Sequence, residues 1–196
     1  MPRPSLKDQR SDEILDAYLT CVARFGLEGA TQERIAAEAG VKRPLLRHYL
    51  GNRGQMITAL CDHVVLVFDR MTDGADAVLK EAQSYEEVIG LLFAEDIDHD
   101  PRLLVAWQAL AVSVGDQPDQ RDALLNSLER FLQALTRTFQ RLSPNRSMEK
   151  TRAVAQGVMA ILVNLDSLSI LSPPQAWRNE LRDGAAILLA SLEGEG

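Results

Sequence analysis

Hydrophobic residues recur every three or four positions along most of the chain, which is the spacing that places them on one face of a helix. No segment shows the strict alternation of apolar and polar residues that predicts a half-buried strand, and no repeat of fixed period is visible. Glycine and proline residues divide the pattern into about nine helical segments. The sequence therefore predicts an all-α fold.

The first apolar face predicts a helix from about Ser11 to Phe25. Its inward residues are Ile14, Tyr18, Val22 and Phe25, supported by Leu15 and Leu19. Gly26 and Gly29 should end this helix. Residues 1–10 carry basic residues and prolines without apolar periodicity, so we expect a frayed arm there.

The segment from Thr31 to Leu50 predicts two short helices joined by a tight turn. Thr31 can cap the free amides that open the first helix. Gly40 follows that helix at the position where a left-handed backbone is needed. Pro44 suits the first turn of the second helix, because an N–H group there has no partner within the helix. Leu46 and Leu50, one turn apart, can then pack inward, as in a helix-turn-helix.

The second of these helices displays a basic and aromatic surface. Arg43 and Arg47 share one outer face, His48 lies beside them, and Tyr49 follows. Such a surface suits the oxygens of phosphates and the edges of bases. We therefore predict a DNA-binding head over residues 1–54, with the helix-turn-helix at about residues 31–50.

A larger body of helices is predicted over residues 55–196. Asn52 and Gln55 match a capping box for the fourth helix, whose inward residues would be Met56, Leu60, Val64, Val67 and Met71. The remaining apolar segments, separated by polar or proline-containing stretches, cover residues 85–97, 103–114, 118–144, 147–171 and 175–192.

The charge of the chain is uneven between these two parts. The formal net charge is −7, yet residues 1–55 hold nine Lys/Arg against seven Asp/Glu, whereas residues 56–196 hold twelve against twenty-one. A mildly basic head on an acidic body is typical of a protein whose head alone contacts DNA.

The cysteines and the apolar runs indicate a reducing, aqueous environment. Cys21 and Cys61 lie within apolar helical patterns and lack the spacing of a metal site, so we expect two buried thiols rather than a disulfide. No apolar run is long enough to span a bilayer, and the first residues lack the apolar core of a signal peptide. A cytoplasmic location is the expectation.

Over roughly residues 10–60, the chain resembles the TetR family of bacterial transcriptional regulators. The resemblance rests on a helix ending in Phe25-Gly26, then Gly29-x-Thr31, Ile35-Ala36, Ala39-Gly40-Val41 and an aromatic-bearing second helix. Beyond residue 60, only the all-helical layout and the length match. The resemblance implies a three-helix DNA-binding head and a larger helical body that binds a ligand and dimerises.

The resemblance also assigns DNA contacts to individual residues. Thr31 matches a position that caps helix two and contacts phosphate. Arg43, Pro44 and Leu45 match the start of the base-reading helix, on which His48 is also exposed. Tyr49 matches a frequent phosphate contact, and Arg53 matches the basic residue that opens helix four.

Two residues depart from the family pattern, and both add positive charge. Arg47 stands where a tyrosine is common, and it would either contact phosphate or read guanine with both ends of its guanidinium. Lys42 stands where a small capping residue is usual, and it is either a backbone contact or a solvated charge.

The function that the resemblance implies is a ligand-responsive transcriptional regulator. Such a protein is most often a repressor that binds a near-palindromic double-stranded operator as a homodimer. A small apolar or amphipathic effector releases it, and no cofactor or metal is expected. The predicted dimer-interface residues, on the last two helices, are Val154, Val158, Ile161, Leu165, Leu168, Trp177, Leu181 and Leu188.

Effector contacts are harder to separate from ordinary core residues. Candidates that could line an apolar pocket, but would also suit a core, are Phe93, Trp107, Phe131 and Met159. Asp166 shares a predicted apolar face, where an unpaired carboxylate would be unfavourable. It would pair across the dimer interface or face a polar group of the effector.

The sequence fits two other classes of protein less well. Asp96, Asp98, His99 and Asp100 resemble a metal cluster by composition, but they lack histidines four residues apart, and a solvated turn is expected. The chain has no nucleophile elbow, phosphate loop or CxxC motif, so no catalytic residues and no enzyme activity are predicted. The alternative function is a helical protein–protein interaction module without DNA binding.

Overall fold

The computed structural model describes the backbone of residues 6–94, 100–114 and 117–193, with side chains from residue 9 onward. Within these ranges the chain forms nine α-helices and no strand, which confirms the predicted fold class. The helices are α1 (Leu6–Gly29), α2 (Gln32–Glu38), α3 (Arg43–Leu50), α4 (Arg53–Leu79), α5 (Tyr85–Leu92), α6 (Pro101–Ser113), α7 (Pro118–Leu142), α8 (Met148–Ser169) and α9 (Gln175–Ala190). No described helix combines the length and apolarity needed to cross a membrane.

Helix α1 differs from the predicted first helix at both ends. It begins at Leu6 rather than Ser11, so the frayed arm is wrong for residues 6–10. This stretch contains no glycine or proline, and Leu, Lys, Gln and Arg favour a helix. At the other end, Gly26 adopts φ 69° and ψ 171°, and the chain resumes helical turns to Gly29 after this kink.

The described residues form two compact units, each considered separately. The first comprises Met1–Val67 with Asp100–Leu125, and the second comprises Phe68–His99 with Asn126–Gly196. Helix α6 therefore packs in the same unit as the three N-terminal helices. The predicted boundary between residues 54 and 55 separates a DNA-binding part from a ligand-binding part by function, and it stays a prediction.

The core of the first unit is built from the inward faces of the N-terminal helices and of α6. Its fully buried side chains include Ile14, Tyr18 and Val22 of α1, Ile35 of α2, Leu46 of α3, Leu60 and Val64 of α4, and Leu110 of α6. Cys21 and Cys61 are free thiols buried in the same unit. Burial raises the pKa of both thiols, so they stay protonated at neutral pH.

Phe25 does not belong to this core, and its predicted inward position is wrong. Its side chain is 47% exposed, because the backbone turns at the next residue, Gly26. The Arg34 guanidinium lies 4.4 Å from the centre of the Phe25 ring and covers it instead.

Arg102 ties the start of α6 to α1 within the first unit. Its guanidinium donates to Asp16 at 2.8 Å, to the Thr20 hydroxyl at 2.7 Å and to the carboxylate of Asp100. Asp100 also caps α6 by accepting from the backbone N–H of Arg102. These hydrogen bonds hold the pKa of Asp100 below its usual range. The other acidic residues and the histidine of this predicted turn lie outside the described residues.

The second unit has its own apolar core, which joins α5, the later parts of α4 and α7, and helices α8 and α9. Sixteen buried residues form one cluster, with Tyr85, Phe93, Phe139, Val158 and Leu189 among them. The Tyr85 hydroxyl donates to the Phe139 carbonyl at 3.2 Å, so the aromatic side chain is buried without leaving its polar atom unpaired.

Candidate nucleic-acid interface

Helix α3 is held in place by two leucines on its inner face. Leu46 is fully buried and Leu50 nearly so, as their spacing predicts. Pro44 occupies the first turn of the helix, and Lys42 precedes the helix without a side-chain capping bond. Gly40 adopts φ 63° in the turn before it. The predicted helix-turn-helix geometry is therefore present.

The outer surface of α3 is open to solvent. Lys42, Arg43, Pro44, Leu45, Arg47 and His48 are exposed, and Tyr49 is half-buried. The His48 and Tyr49 rings meet edge to face, with centroids 5.4 Å apart. The structure thus presents seven of the nine predicted DNA-contact residues on one short segment, and Thr31 lies at the start of α2.

Electrostatics distinguishes this surface from the rest of the first unit. No Asp or Glu occurs between Ala39 and Cys61. The side chains of Lys42, Arg43 and Arg47 form no hydrogen bond or ion pair with any described residue. These three charges therefore remain available to an anionic partner.

The other arginines near this surface are engaged within the protein. Arg24 pairs with Glu38 at 3.3 Å. Arg34 donates to the Gly29 carbonyl at 2.8 Å while covering Phe25. Sequence reasoning missed the role of Arg34, because nothing in the pattern separates a packed arginine from a solvated one. It holds the end of α1 against the start of α2.

Thr31 combines a structural position with free hydrogen-bonding capacity. Its hydroxyl oxygen accepts from the backbone N–H of Arg34 at 3.3 Å, which confirms the predicted cap. The side chain is exposed, and its O–H group can still donate. A phosphate oxygen is a suitable acceptor for that group.

Arg53 has a different environment from the other predicted DNA contacts. Its guanidinium donates to the Leu27 carbonyl at 2.8 Å and to the Ala30 carbonyl at 3.3 Å, and lies 3.2 Å from the Glu28 carboxylate. These bonds fix the first residue of α4 against the end of α1. Its DNA contact stays a prediction, and its observed role is to position the head.

Tyr18 lies in the core near this arginine. Its side chain is fully buried, and its hydroxyl has no hydrogen-bond partner among the described residues. Burial raises the Tyr18 pKa to about 12, although the nearby positive charge of Arg53 opposes the shift. The phenol is therefore neutral at physiological pH, and it serves the head as a core residue.

The turn from α3 into α4 is built from a glycine and a reciprocal cap. The backbone N–H of Asn52 donates to the Gln55 side chain at 2.9 Å, and the N–H of Gln55 donates to the Asn52 side chain at 3.0 Å. This confirms the predicted capping box. Gly51 just before it adopts φ 75° and ψ −145°, a region that is essentially restricted to glycine.

Gly51→Ala should destabilise the protein more than Gly40→Ala does. A Cβ at Gly51 would collide with the Gln55 side chain, whereas a Cβ at Gly40 would meet open space. We expect losses in the free energy of unfolding of about 2–3 kcal/mol and about 1 kcal/mol, respectively. Urea unfolding of both variants measures them; equal losses would contradict the described geometry of this turn.

Three of the four predicted effector-contact residues lie in one place. Phe93 and Met159 are buried in the apolar cluster of the second unit, and half-buried Phe131 packs against it. Trp107 lies on α6, in the first unit. Their contact with an effector stays a prediction.

Helices α8 and α9 pack against each other in opposite directions. Leu188 fills the space that a side chain at Gly157 would occupy, and Ile161 lies opposite Gly184. Gly157 therefore allows close approach of two helices of the same protomer, rather than of two protomers. Val154 and Val158 belong to the same internal core, and Val158 has no exposed surface with which to contact a second copy.

Other residues of these two helices form the exposed surface. Val163 and Trp177 are about half exposed, and Ile187 is 72% exposed. The predicted interface residues Ile161, Leu165, Leu168, Leu181 and Leu188 are half-buried. Asp166 is exposed in the protomer, as are Val163 and Ile170 of the same predicted face, and its pairing across a dimer interface or with an effector stays a prediction.

An open cleft of about 270 Å³ lies where α8 turns into α9. Leu165, Leu168, Trp177 and Leu181 line it, together with polar residues that include Asn164 and Glu180. Four predicted dimer-interface residues thus border a concave surface within the second unit.

Known proteins similar to this chain are regulators of transcription. No protein-family model matches the chain. A relative from Vibrio vulnificus, named HTH-type transcriptional regulator BetI, is 25% identical over 186 residues, which cover 93% of this chain and 91% of that protein.

Solved structures share the fold over almost the whole chain. The fatty acid degradation regulator FadR from Bacillus halodurans superimposes with a TM-score of 0.72 at 19% identity, covering 99% of this chain and all of that one. A member of the TetR family from Streptomyces coelicolor gives a TM-score of 0.65 at 17% identity, covering 94% of this chain and 98% of that one.

Proposed function

Because the chain belongs to the TetR family of helix-turn-helix transcriptional regulators, we propose that it binds a near-palindromic operator as a homodimer and represses transcription until a small effector releases it. The observation that carries the proposal is the surface of α3. It presents cations without partners among the described residues, on a helix anchored by buried leucines. The protein itself would act in the cytoplasm, the compartment that holds the DNA.

Exposure of the cations favours DNA binding over the alternative, an interaction module that does not bind DNA. Arg43 and Arg47 lie in a stretch without acidic residues, where their mutual repulsion is not relieved by any described partner. A helix that contacts only protein has no need of this arrangement. Phosphates and base edges would supply the missing hydrogen-bond acceptors.

Dimerisation follows from the size of the reading surface. One eight-residue helix contacts too few base pairs for useful specificity, and a two-fold dimer doubles them. The exposed apolar residues of α8 and α9, of which Ile187 is the most exposed, are the surface we assign to the partner. Val154 and Val158 belong to the buried core of the same unit rather than to this surface.

Effector control would act through the second unit. An apolar or amphipathic molecule that binds there can switch the protein only if it binds the DNA-free arrangement more tightly than the DNA-bound one. Helices α4 and α7 both run from the first unit into the second, and α4 follows the reading head directly, so it is one covalent link between an effector site and that head.

Salt dependence of DNA binding tests the proposed function. The logarithm of affinity for a duplex selected from a random pool should fall linearly with the logarithm of salt concentration, because bound cations of DNA are released. Arg43→Ala combined with Arg47→Ala should abolish selective binding, whereas Arg70→Ala, which removes an exposed charge on α4, should preserve it. If the double variant binds every DNA as the wild type does, α3 is not the reader.

A further inference from the structure

The exposed side chains of α3 offer a narrow set of base contacts. The helix has the sequence RPLLRHYL, with no Asn or Gln to pair with the N6 and N7 atoms of adenine, and no Asp or Glu to accept from cytosine. Arg43 and Arg47 supply two guanidinium groups, each able to donate two hydrogen bonds to the O6 and N7 atoms of guanine. Exposed Leu45 can contact the methyl group of thymine.

The two arginines are arranged to act as a pair. They are four residues apart, so they project from nearly the same side of the helix about 6 Å apart along its axis. Base pairs are stacked about 3.4 Å apart. Two guanidinium groups at this spacing match guanines separated by about two base steps.

Neither the Arg43 nor the Arg47 side chain is bound by another described residue. Both guanidinium groups are exposed and lack hydrogen bonds and ion pairs with the described residues, unlike those of Arg24, Arg34 and Arg53. Thr31 provides a free hydroxyl donor for phosphate at the start of α2, and Tyr49 lies on the flank of α3 opposite Arg47. Thr31 and Tyr49 can therefore supply phosphate contacts without either arginine.

We propose that each operator half-site contains two guanines, about two base steps apart on one strand, that Arg43 and Arg47 read in the major groove. This assignment rests on the proposed DNA-binding function and names the sequence that the same helix recognises. Arg47 is thereby a specificity-determining residue rather than a phosphate contact.

The experiment uses a duplex selected from a random pool by the full-length wild-type protein. Each guanine is replaced singly by 7-deazaguanine, which keeps Watson–Crick pairing but removes the N7 acceptor. Fluorescence anisotropy should show about a tenfold or greater loss of affinity at two guanines per half-site. In Arg43→Ala, one of these two losses should disappear, and in Arg47→Ala the other should disappear.

The outcomes separate this assignment from the proposed function. A selected duplex that is bound tightly but tolerates 7-deazaguanine at every position would overturn the guanine assignment and leave DNA binding intact. The assignment of Arg47 also fails if Arg47→Ala weakens binding to all duplexes equally while both guanines keep their effect. If no duplex is enriched, the proposed function fails as well. The measurements on the wild-type protein test the guanine assignment even if a variant fails to fold.

Discussion

Leu46→Ala is expected to lower the free energy of unfolding by about 2–5 kcal/mol and to abolish operator binding. Leu46 is fully buried beneath α3, and truncation of a buried leucine removes apolar contacts and leaves a cavity. Because this residue joins the reading helix to the core, the head should lose its structure first. Urea unfolding followed by circular dichroism measures the loss.

The adjacent leucine provides a matched control. Leu45 is 39% exposed, so Leu45→Ala should change the free energy of unfolding by less than about 1 kcal/mol while weakening DNA binding. If Leu45→Ala proved the more destabilising of the two, α3 would be rotated relative to the described structure, and its cations would face the protein.

Ile187→Glu is expected to convert the dimer to monomers. The side chain is 72% exposed on α9, and a two-fold axis would place two such carboxylates in one apolar interface. Like charges in that position should weaken association by about 3 kcal/mol, or roughly a hundredfold. Sedimentation velocity at low micromolar concentration would detect the change.

Val78→Glu is the control for the added charge. Val78 is 50% exposed near the end of α4, outside the proposed dimer face, so this variant should remain dimeric. If Ile187→Glu remained dimeric, α9 would not be part of the dimer interface. Equal dissociation of both variants would indicate that added negative charge, rather than a specific contact, separates the protomers.

The helix-turn-helix could be predicted closely because its signals are local. A capping threonine, a glycine with positive φ and a proline in a first helical turn each act within a few residues of their own position. The reciprocal bonds of Asn52 and Gln55 were predictable for the same reason. Local sequence also identified the fully buried side of α3.

The roles of Arg53 and Val158 depend on tertiary structure and could not be predicted from periodicity. A basic residue at the start of a helix has the same sequence pattern whether it contacts DNA or, like Arg53, binds backbone carbonyls at and just beyond the end of α1. An apolar helix face likewise suits a dimer interface or the protomer's own core, which is where Val158 lies. Only burial separates these alternatives.

Phe25 shows the same limit in the opposite direction. Helical spacing placed the phenylalanine inside, but the kink at Gly26 leaves it beneath a guanidinium at the surface. A single backbone turn is enough to reverse such an assignment.

Hydroxyl-radical footprinting of the wild-type protein on a selected duplex tests most directly whether two copies of α3 read DNA together. We predict two protected regions related by a two-fold axis, each centred on a guanine-containing half-site, and their joint loss in the Arg43→Ala, Arg47→Ala double variant. A single protected region without an inverted partner, or a footprint that the double variant leaves unchanged, would contradict recognition by a paired α3.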